Sequence, residues 1–389
     1  MQTSQYTLLL DEESQELIRR TQNTTSDEEM EALLRALVVK LQERCQLPEV
    51  QNRYEKLDQP NDFVGTYPIG ADGYAISYDP VEEEEAFWNA WATYGYVVGK
   101  EVVSREQCAK TVTRIKSLLH SLSGNQFDLD RPETYGDVPV DQNGVPAISR
   151  GFFEVYHDDS LARIRQAVRV YLHHVLLWGR AELWTTFDRY GVKTADKKES
   201  KGLPIHVDQN PLVHSGFTTT QGVLALIDCP LKQGTFVAVP GSLNSFSDYA
   251  SAVEKRDTNY RGEYVEAGWD PDLHNRLAAN AQPIPIRAGD LVTWDSRTTH
   301  ANSSNLLSTP RLVVYLSAGH AREDSVELKG ERLAAFQSGE GKNVRDAMMH
   351  ASMPPRCALY GMMEELRQPE DLTYLGRLLY GHESYPTTR

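Results

Sequence analysis

The chain has 389 residues, 40% of them hydrophobic and 24% charged, which suits a globular protein with one large core or two modest ones. A formal net charge of -15 argues against a nucleic-acid partner, since such a partner selects for a basic face. No membrane-length apolar run and no secretory leader pattern is visible, and Cys45, Cys108, Cys229 and Cys357 lack metal or disulfide spacing, so a cytoplasmic protein with reduced thiols is expected.

Residues 1–60 are polar with a helical pattern, and Ser26 and Glu29 form a capping box ahead of Met30, Leu33, Leu34, Leu37 and Val38. That stripe is expected to pack on the main domain. Residues 51–78 read as a surface loop. Glu82 to Glu85 open a second helix, where the dipole favours carboxylates, and the run reads as a solvated helix start and not a metal site. A short strand at Tyr96–Val98 precedes a helix capped by Ser104 and carrying Ile115, Leu118 and Leu119. Residues 125–148 are turn-rich and suit an active-site rim.

Asp158 is predicted to cap one long helix running to Trp178. His173 and His174 within it point about 100° apart, cannot chelate one ion together, and read as structural. Residues 182–190 read as a strand on which Thr186 and Asp188 could line a cavity, followed by a charged flap over 191–202. Further strands are predicted near 221–228, 234–239, 283–287, 291–294 and 312–317, with a polar helical insertion at 246–280. Short strands broken by Gly and Pro turns suit a jelly-roll barrel, and no Gly-x-Gly-x-x-Gly follows a strand, so nucleotide cofactors gain no support. Residues 326–389 return to a helical pattern, with Leu333, Met348, Met349, Leu359, Met362, Met363 and Leu366 as packing residues. This tail is expected to cover the barrel or to form a homodimer contact.

The chemistry concentrates in Leu203-Pro204-Ile205-His206-Val207-Asp208-Gln209-Asn210. In an extended segment His206 and Asp208 project to one side and can grip one ion. A third donor comes from His300, at the end of the polar turn that follows the apolar strand from Gly289. Two imidazoles and one carboxylate leave open positions on an octahedral ion, as in non-haem Fe(II) oxygenases. His214 is a weaker candidate, because a turn at Pro211 separates it from His206. Arg311 opens the apolar run Leu312–Leu316, where a buried guanidinium needs an anion and is suited to a bidentate carboxylate.

These elements, in this order and with Gly234–Ser242 between them, resemble the Fe(II)- and 2-oxoglutarate-dependent dioxygenases of the phytanoyl-CoA dioxygenase-like family, over roughly residues 83–321. The resemblance implies a double-stranded β-helix core (a mainly β, α+β architecture). It implies Fe(II) on His206, Asp208 and His300, and Arg311 on the distal carboxylate of 2-oxoglutarate. Asn302 is placed near that co-substrate, and Gln209, Asn210, Arg297, Thr186 and Asp188 near a small-molecule substrate. The expected division is a helical extension at 1–80, the dioxygenase domain at 81–325 and a helical extension at 326–389. The implied reaction is dioxygen-dependent C–H oxidation, most simply hydroxylation, with succinate and CO2 as co-products. The ligands alone also allow a Zn- or Mn-dependent cupin-like hydrolase or isomerase, or a non-catalytic binding barrel. A hydrolase has no standing need for the dicarboxylate anchor at Arg311, and a dead site need not retain three donors in register.

Overall fold

The computed structural model describes residues 7–54, 65–141, 144–149, 151–195, 202–342, 352–353, 370 and 372–387. Three N-terminal helices, α1 (Glu12–Asn23), α2 (Asp27–Cys45) and α3 (Pro48–Tyr54), precede α4 (Glu84–Tyr94), α5 (Arg105–Leu122), α6 (Asp159–Arg165) and α7 (Val168–Trp178). Ser26 caps α2 by accepting from the Glu29 amide at 3.3 Å, and Leu34, Leu37, Val38 and Leu41 on its apolar stripe enter the main core.

The strands are β1 (Tyr96–Gly99), β2 (Ile148–Ser149), β3 (Phe152–Phe153), β4 (Leu183–Thr185), β5 (Tyr190–Lys193), β6 (His206–Val207), β7 (Thr220–Ala225) and β8 (Phe236–Ala238). They continue with β9 (Val265–Glu266), β10 (Gln282–Ile284), β11 (Leu291–Asp295), β12 (His300–Asn302), β13 (Arg311–Tyr315) and β14 (Ala318–His320). The larger sheet runs β1-β11-β7-β13-β5-β3-β2, with β14 joined to β4 and β7, and the smaller runs β10-β8-β12-β6-β9. All these named pairings are antiparallel.

Alternation along the strands sends Val223, Ala225, Val292, Trp294 and Val313 of the large sheet against Phe236, Ala238 and Ile284 of the small one, which fills the space between the sheets. Leu224, Leu226, Leu291, Leu312 and Val314 face the other way and pack with Ile115, Leu119 and Ile164. The result is the jelly-roll expected from the strand pattern, with helices covering the outer face of its larger sheet.

Four local readings are corrected. The acidic run at the start of α4 is not wholly solvated. Glu84 is buried, and its two carboxylate oxygens accept from the Leu9 and Leu10 amides at 2.8 and 2.9 Å, tying the N-terminal segment to the core. The helix predicted from Asp158 to Trp178 is two helices, because Ala167 is extended (φ -63°, ψ 130°). The neighbouring Gln166 carboxamide instead accepts from the amide and hydroxyl of Thr373, at 2.9 and 2.8 Å, and docks the last helix.

The strand predicted over 182–190 is broken between β4 and β5, which pair with β14 and β13 respectively. Asp188 accepts from the Arg189 amide at 2.9 Å, a local bond that competes with a ladder. Finally, the insertion holds α8 (Tyr249–Arg256) and α9 (Pro271–Ala278), yet also β9, which pairs with β6 and so extends the smaller sheet beside His206.

The C-terminal extension contributes α10 (Val326–Ser338) and α11 (Tyr374–Tyr380). Leu375, Leu378, Leu379 and Tyr380 share one core with Leu37, Leu41 and Trp184, so α11 and α2 pack into the same core as β4. Arg332, buried and paired with no carboxylate among the described residues, donates to Thr185 O, Leu379 O and Tyr380 O, satisfying the open carbonyls at the end of α11. Residues 196–201 of the predicted flap and Met348, Met349, Leu359, Met362, Met363 and Leu366 lie outside the described residues. Among the described residues no helix is long and apolar enough to cross a membrane.

His173 and His174 bridge α7 to the outer face of the large sheet, at 2.8 Å from Thr293 Oγ1 and 3.1 Å from Thr220 Oγ1. Gly99 makes room for this, since a Cβ there would lie 2.3 Å from His173 Nδ1. Burial pushes both imidazoles down, His174 to about 3. The unfolded chain therefore takes up protons that the folded one refuses, and stability present above the ordinary histidine value is lost as pH falls towards the folded value. Urea unfolding at pH 7, 6 and 5 should show the free energy falling by about 1.4 kcal/mol per pH unit for His174 below pH 6, a slope reduced in His174→Gln. An unchanged slope in that variant would remove His174 as its source.

Candidate metal centre

His206 on β6 and His300 on β12 are Cα partners across an antiparallel pair, which brings their ring centroids to 4.2 Å. Asp208 follows β6 directly, with Oδ1 3.8 Å from His206 Nε2 and Oδ2 3.5 Å from His300 Nε2. One donor atom from each of the three residues lies within 4.8 Å of the others, and this is the metal-type grouping found among the described residues. The three predicted ligands, 92 to 94 positions apart in two segments, are thus brought together by one strand pairing.

The donors are preset. His206 Nδ1–H points at Pro204 O at 2.7 Å and His300 Nδ1–H at Thr298 O at 3.0 Å, which leaves both Nε2 lone pairs towards the centre. Asp208 Oδ2 accepts from Gln221 Nε2 at 2.8 Å, and Gln221 Oε1 accepts from Trp294 Nε1 at 2.9 Å. Burial alone would push the Asp208 carboxyl up. The adjoining His300 and His206, when protonated, and the Gln221 amide outweigh it and hold the group well below the usual carboxylate range. The histidine side chains are 3% and 4% exposed against 19% for Asp208, so the cluster opens on the carboxylate side.

Arg311 begins β13 on the same inward face as Val313 and is buried. Among the described residues it makes no hydrogen bond to a carboxylate or carbonyl, and its Nε is buried with no acceptor. Gly234, at φ 68°, passes close by, and a Cβ there would sit 3.3 Å from Arg311 Cδ, which explains a glycine at the head of the segment leading to β8. Asn302 lies two residues beyond His300 on β12, where side chains share a face, and its Oδ1, like Ser303 Oγ, is buried with no hydrogen-bond partner among the described residues. Three hard and borderline donors with an open side fit Fe(II), and the buried N–H of Arg311 and hydroxyl of Ser303, both able to donate, fit a bound anionic co-substrate.

The remaining predicted residues are placed differently. Gln209 is fully buried and its carboxamide is occupied, donating to His214 O and Gly216 O and accepting from the Thr218 and Ser296 hydroxyls. Asn210 bonds Gly262 O and the Leu212 amide, shaping the turn after Asp208. Arg297 is held in a fork by Asp295, at 3.0 and 2.8 Å, and lies over the Phe217 ring. Thr186 Oγ1 reaches Ser317 O at 3.4 Å, while Asp188 lies beside Arg189 Nε at 3.5 Å. His214 faces Glu263 at 3.3 Å.

Three residues at the site were missed. Gln221 and Trp294 touch the ligand set, and Tyr264, in the insertion just before β9, lies with its ring centroid 4.7 Å from His206. A polar Gln on the inward face of an apolar strand was a readable signal for the first of these. Nothing local marked Tyr264, whose place depends on the β6–β9 pairing.

A jelly-roll barrel carrying two imidazoles on its smaller sheet and one carboxylate beside them has the donor set that suits non-haem Fe(II) oxygenases. The family model for phytanoyl-CoA dioxygenase (PhyH) matches residues 91–313. The chain belongs to this family of Fe(II)- and 2-oxoglutarate-dependent dioxygenases.

A Dictyostelium discoideum protein named "Putative phytanoyl-CoA dioxygenase" is 22% identical over 258 residues, covering 57% of this chain and 72% of its own. An Aspergillus versicolor protein named "Ava biosynthesis cluster protein O" is 26% identical over 233 residues, covering 58% of this chain and 74% of its own. Among solved structures, one titled "Putative Oxidoreductase from Salmonella typhimurium LT2" is 16% identical, with a TM-score of 0.54 over 95% of this chain and 96% of that one. That likeness is one of fold.

Proposed function

We propose that this enzyme oxidises a C–H bond of a small organic substrate, most simply by hydroxylation, with His206, Asp208 and His300 holding Fe(II) and Arg311 gripping the distal carboxylate of 2-oxoglutarate. The observation that carries this reading is one barrel interior holding both a preset two-histidine, one-carboxylate cluster and a buried guanidinium whose Nε has no acceptor among the described residues. When bound, Fe(II) with 2-oxoglutarate and dioxygen supplies the oxidising power for C–H cleavage, and the co-substrate leaves as succinate and CO2.

The chain's own residues bind, orient and exclude water. Arg311 supplies the fixed fork that a carboxylate needs, with Asn302 beside it as a second polar contact. Trp294 and Phe236, with centroids 4.9 and 6.0 Å from the His300 ring, and Tyr264 against His206 form an aromatic wall that keeps water from the imidazoles. Of the residues expected to face the substrate, Gln209, Asn210 and Arg297 build the turns beside the cluster, since their side chains are spent on holding them, and Thr186 and Asp188 are buried beside Ser317 O and Arg189. The substrate class is a biosynthetic intermediate or amino-acid-like metabolite, and one relative is named for a biosynthesis cluster.

The test is dioxygen-dependent release of labelled CO2 from carboxyl-labelled 2-oxoglutarate by protein reconstituted with Fe(II). Slow release without added substrate, stopped by a chelator and restored by Fe(II), is expected. Absence of release under all these conditions, in protein that retains its metal, would overturn the assignment.

A further inference from the structure

Asp208 is held by a relay that reaches back into the larger sheet. Gln221 lies on β7 with its side chain inward, as the alternation with Val223 and Ala225 requires, and it is 4% exposed. A carboxamide has two ends of similar shape, and only one orientation offers N–H groups to a carboxylate. Trp294 decides the orientation. Its Nε1–H can only donate, so at 2.9 Å it fixes Oε1 on its own side and turns Nε2–H onto Asp208 Oδ2 at 2.8 Å.

Trp294 is itself fixed from two directions. Its ring stacks on Phe236, with centroids 4.4 Å apart and planes at 28°. The β11–β7 register places Trp294 directly opposite Gln221. Donor, carboxamide and carboxylate are thus three consecutive members of one chain anchored on two neighbouring strands.

We infer that Gln221 is a positioning residue for the metal centre, oriented by Trp294, which fixes the rotation of the Asp208 carboxylate and thereby sets the affinity of the site for a divalent ion. This rests on the metal-centre reading above. Partners of this kind around metal ligands typically change affinity by about 10- to 100-fold when removed.

The test is anaerobic titration of the apo-protein with Co(II) alone, followed by calorimetry and by the visible ligand-field bands of the bound ion. Gln221→Met keeps the side-chain volume and deletes the amide, while Trp294→Phe keeps an aromatic ring against Phe236 and deletes the N–H. Gln221→Met is expected to bind Co(II) about 10- to 100-fold more weakly, with altered bands. Trp294→Phe should weaken binding by a smaller factor, and the double variant should match Gln221→Met, because a residue acting only through another has no effect once that other is gone.

Wild-type affinity in Gln221→Met would overturn the inference while leaving the metal centre intact. A Trp294→Phe effect that persists in full in the Gln221→Met background would overturn the relay. Failure of the wild type to bind Co(II) would overturn the metal-centre reading and this inference with it. Trp294→Phe, which leaves the β11–β7 pairing and the apolar packing in place, keeps the test decisive if Gln221→Met does not fold.

Discussion

Asp208→Ala is expected to abolish 2-oxoglutarate consumption and to weaken Fe(II) binding by at least about 100-fold, more than the loss of any residue that only supports a ligand. Asp208 is the sole carboxylate of the cluster, and its oxygens lie within 4 Å of both imidazoles. Two neutral imidazoles cannot replace its charge or its position in the facial set. The change also strips Gln221 of its acceptor, at a cost of about 1–3 kcal/mol, so circular dichroism and a urea midpoint must accompany the metal titration. Folded Asp208→Ala protein that binds Fe(II) as tightly as wild type would remove Asp208 from the ligand set.

Arg311→Ala is expected to raise the 2-oxoglutarate concentration needed for half-maximal turnover by about 10- to 150-fold, with Fe(II) affinity unchanged. A hydrogen bond to a charged group is worth about 1.5–3 kcal/mol, and in affinity each 1.4 kcal/mol is tenfold. Arg311→Lys keeps the charge and loses the fork, so it should fall between the two. The checking measurement is initial rate against 2-oxoglutarate at saturating Fe(II). Equal half-saturation in wild type and Arg311→Ala would show that the guanidinium meets some other anion.

Much of the candidate site could be proposed from the sequence because its residues lie in short segments. His206 and Asp208 share one extended stretch, while His300 and Arg311 flank the next polar turn, and strand periodicity alone puts each inward. The jelly-roll followed from the same alternation and from the Gly and Pro turns. Long-range pairing was not legible. That β9, inside an insertion of helical composition, would pair with β6 and bring Tyr264 over His206 depends on contacts some 60 residues apart in sequence. The break at Ala167 was hidden for a similar reason, because Gln166 is a good helix residue whose carboxamide is claimed by Thr373. Gln209 and Asn210 adjoin Asp208 in sequence, yet they are spent on the turn, since buried amides must find partners and the loop offered them first.

The most direct measurement is anaerobic titration of the apo-protein with Fe(II) and then 2-oxoglutarate, watched for the weak visible charge-transfer band of the chelate. A band that saturates in the wild type, needs far more 2-oxoglutarate in Arg311→Ala and is absent in Asp208→Ala is the expected result. A wild type that binds Fe(II) but develops no band at any 2-oxoglutarate concentration would contradict the assignment of this barrel as a 2-oxoglutarate-dependent oxygenase.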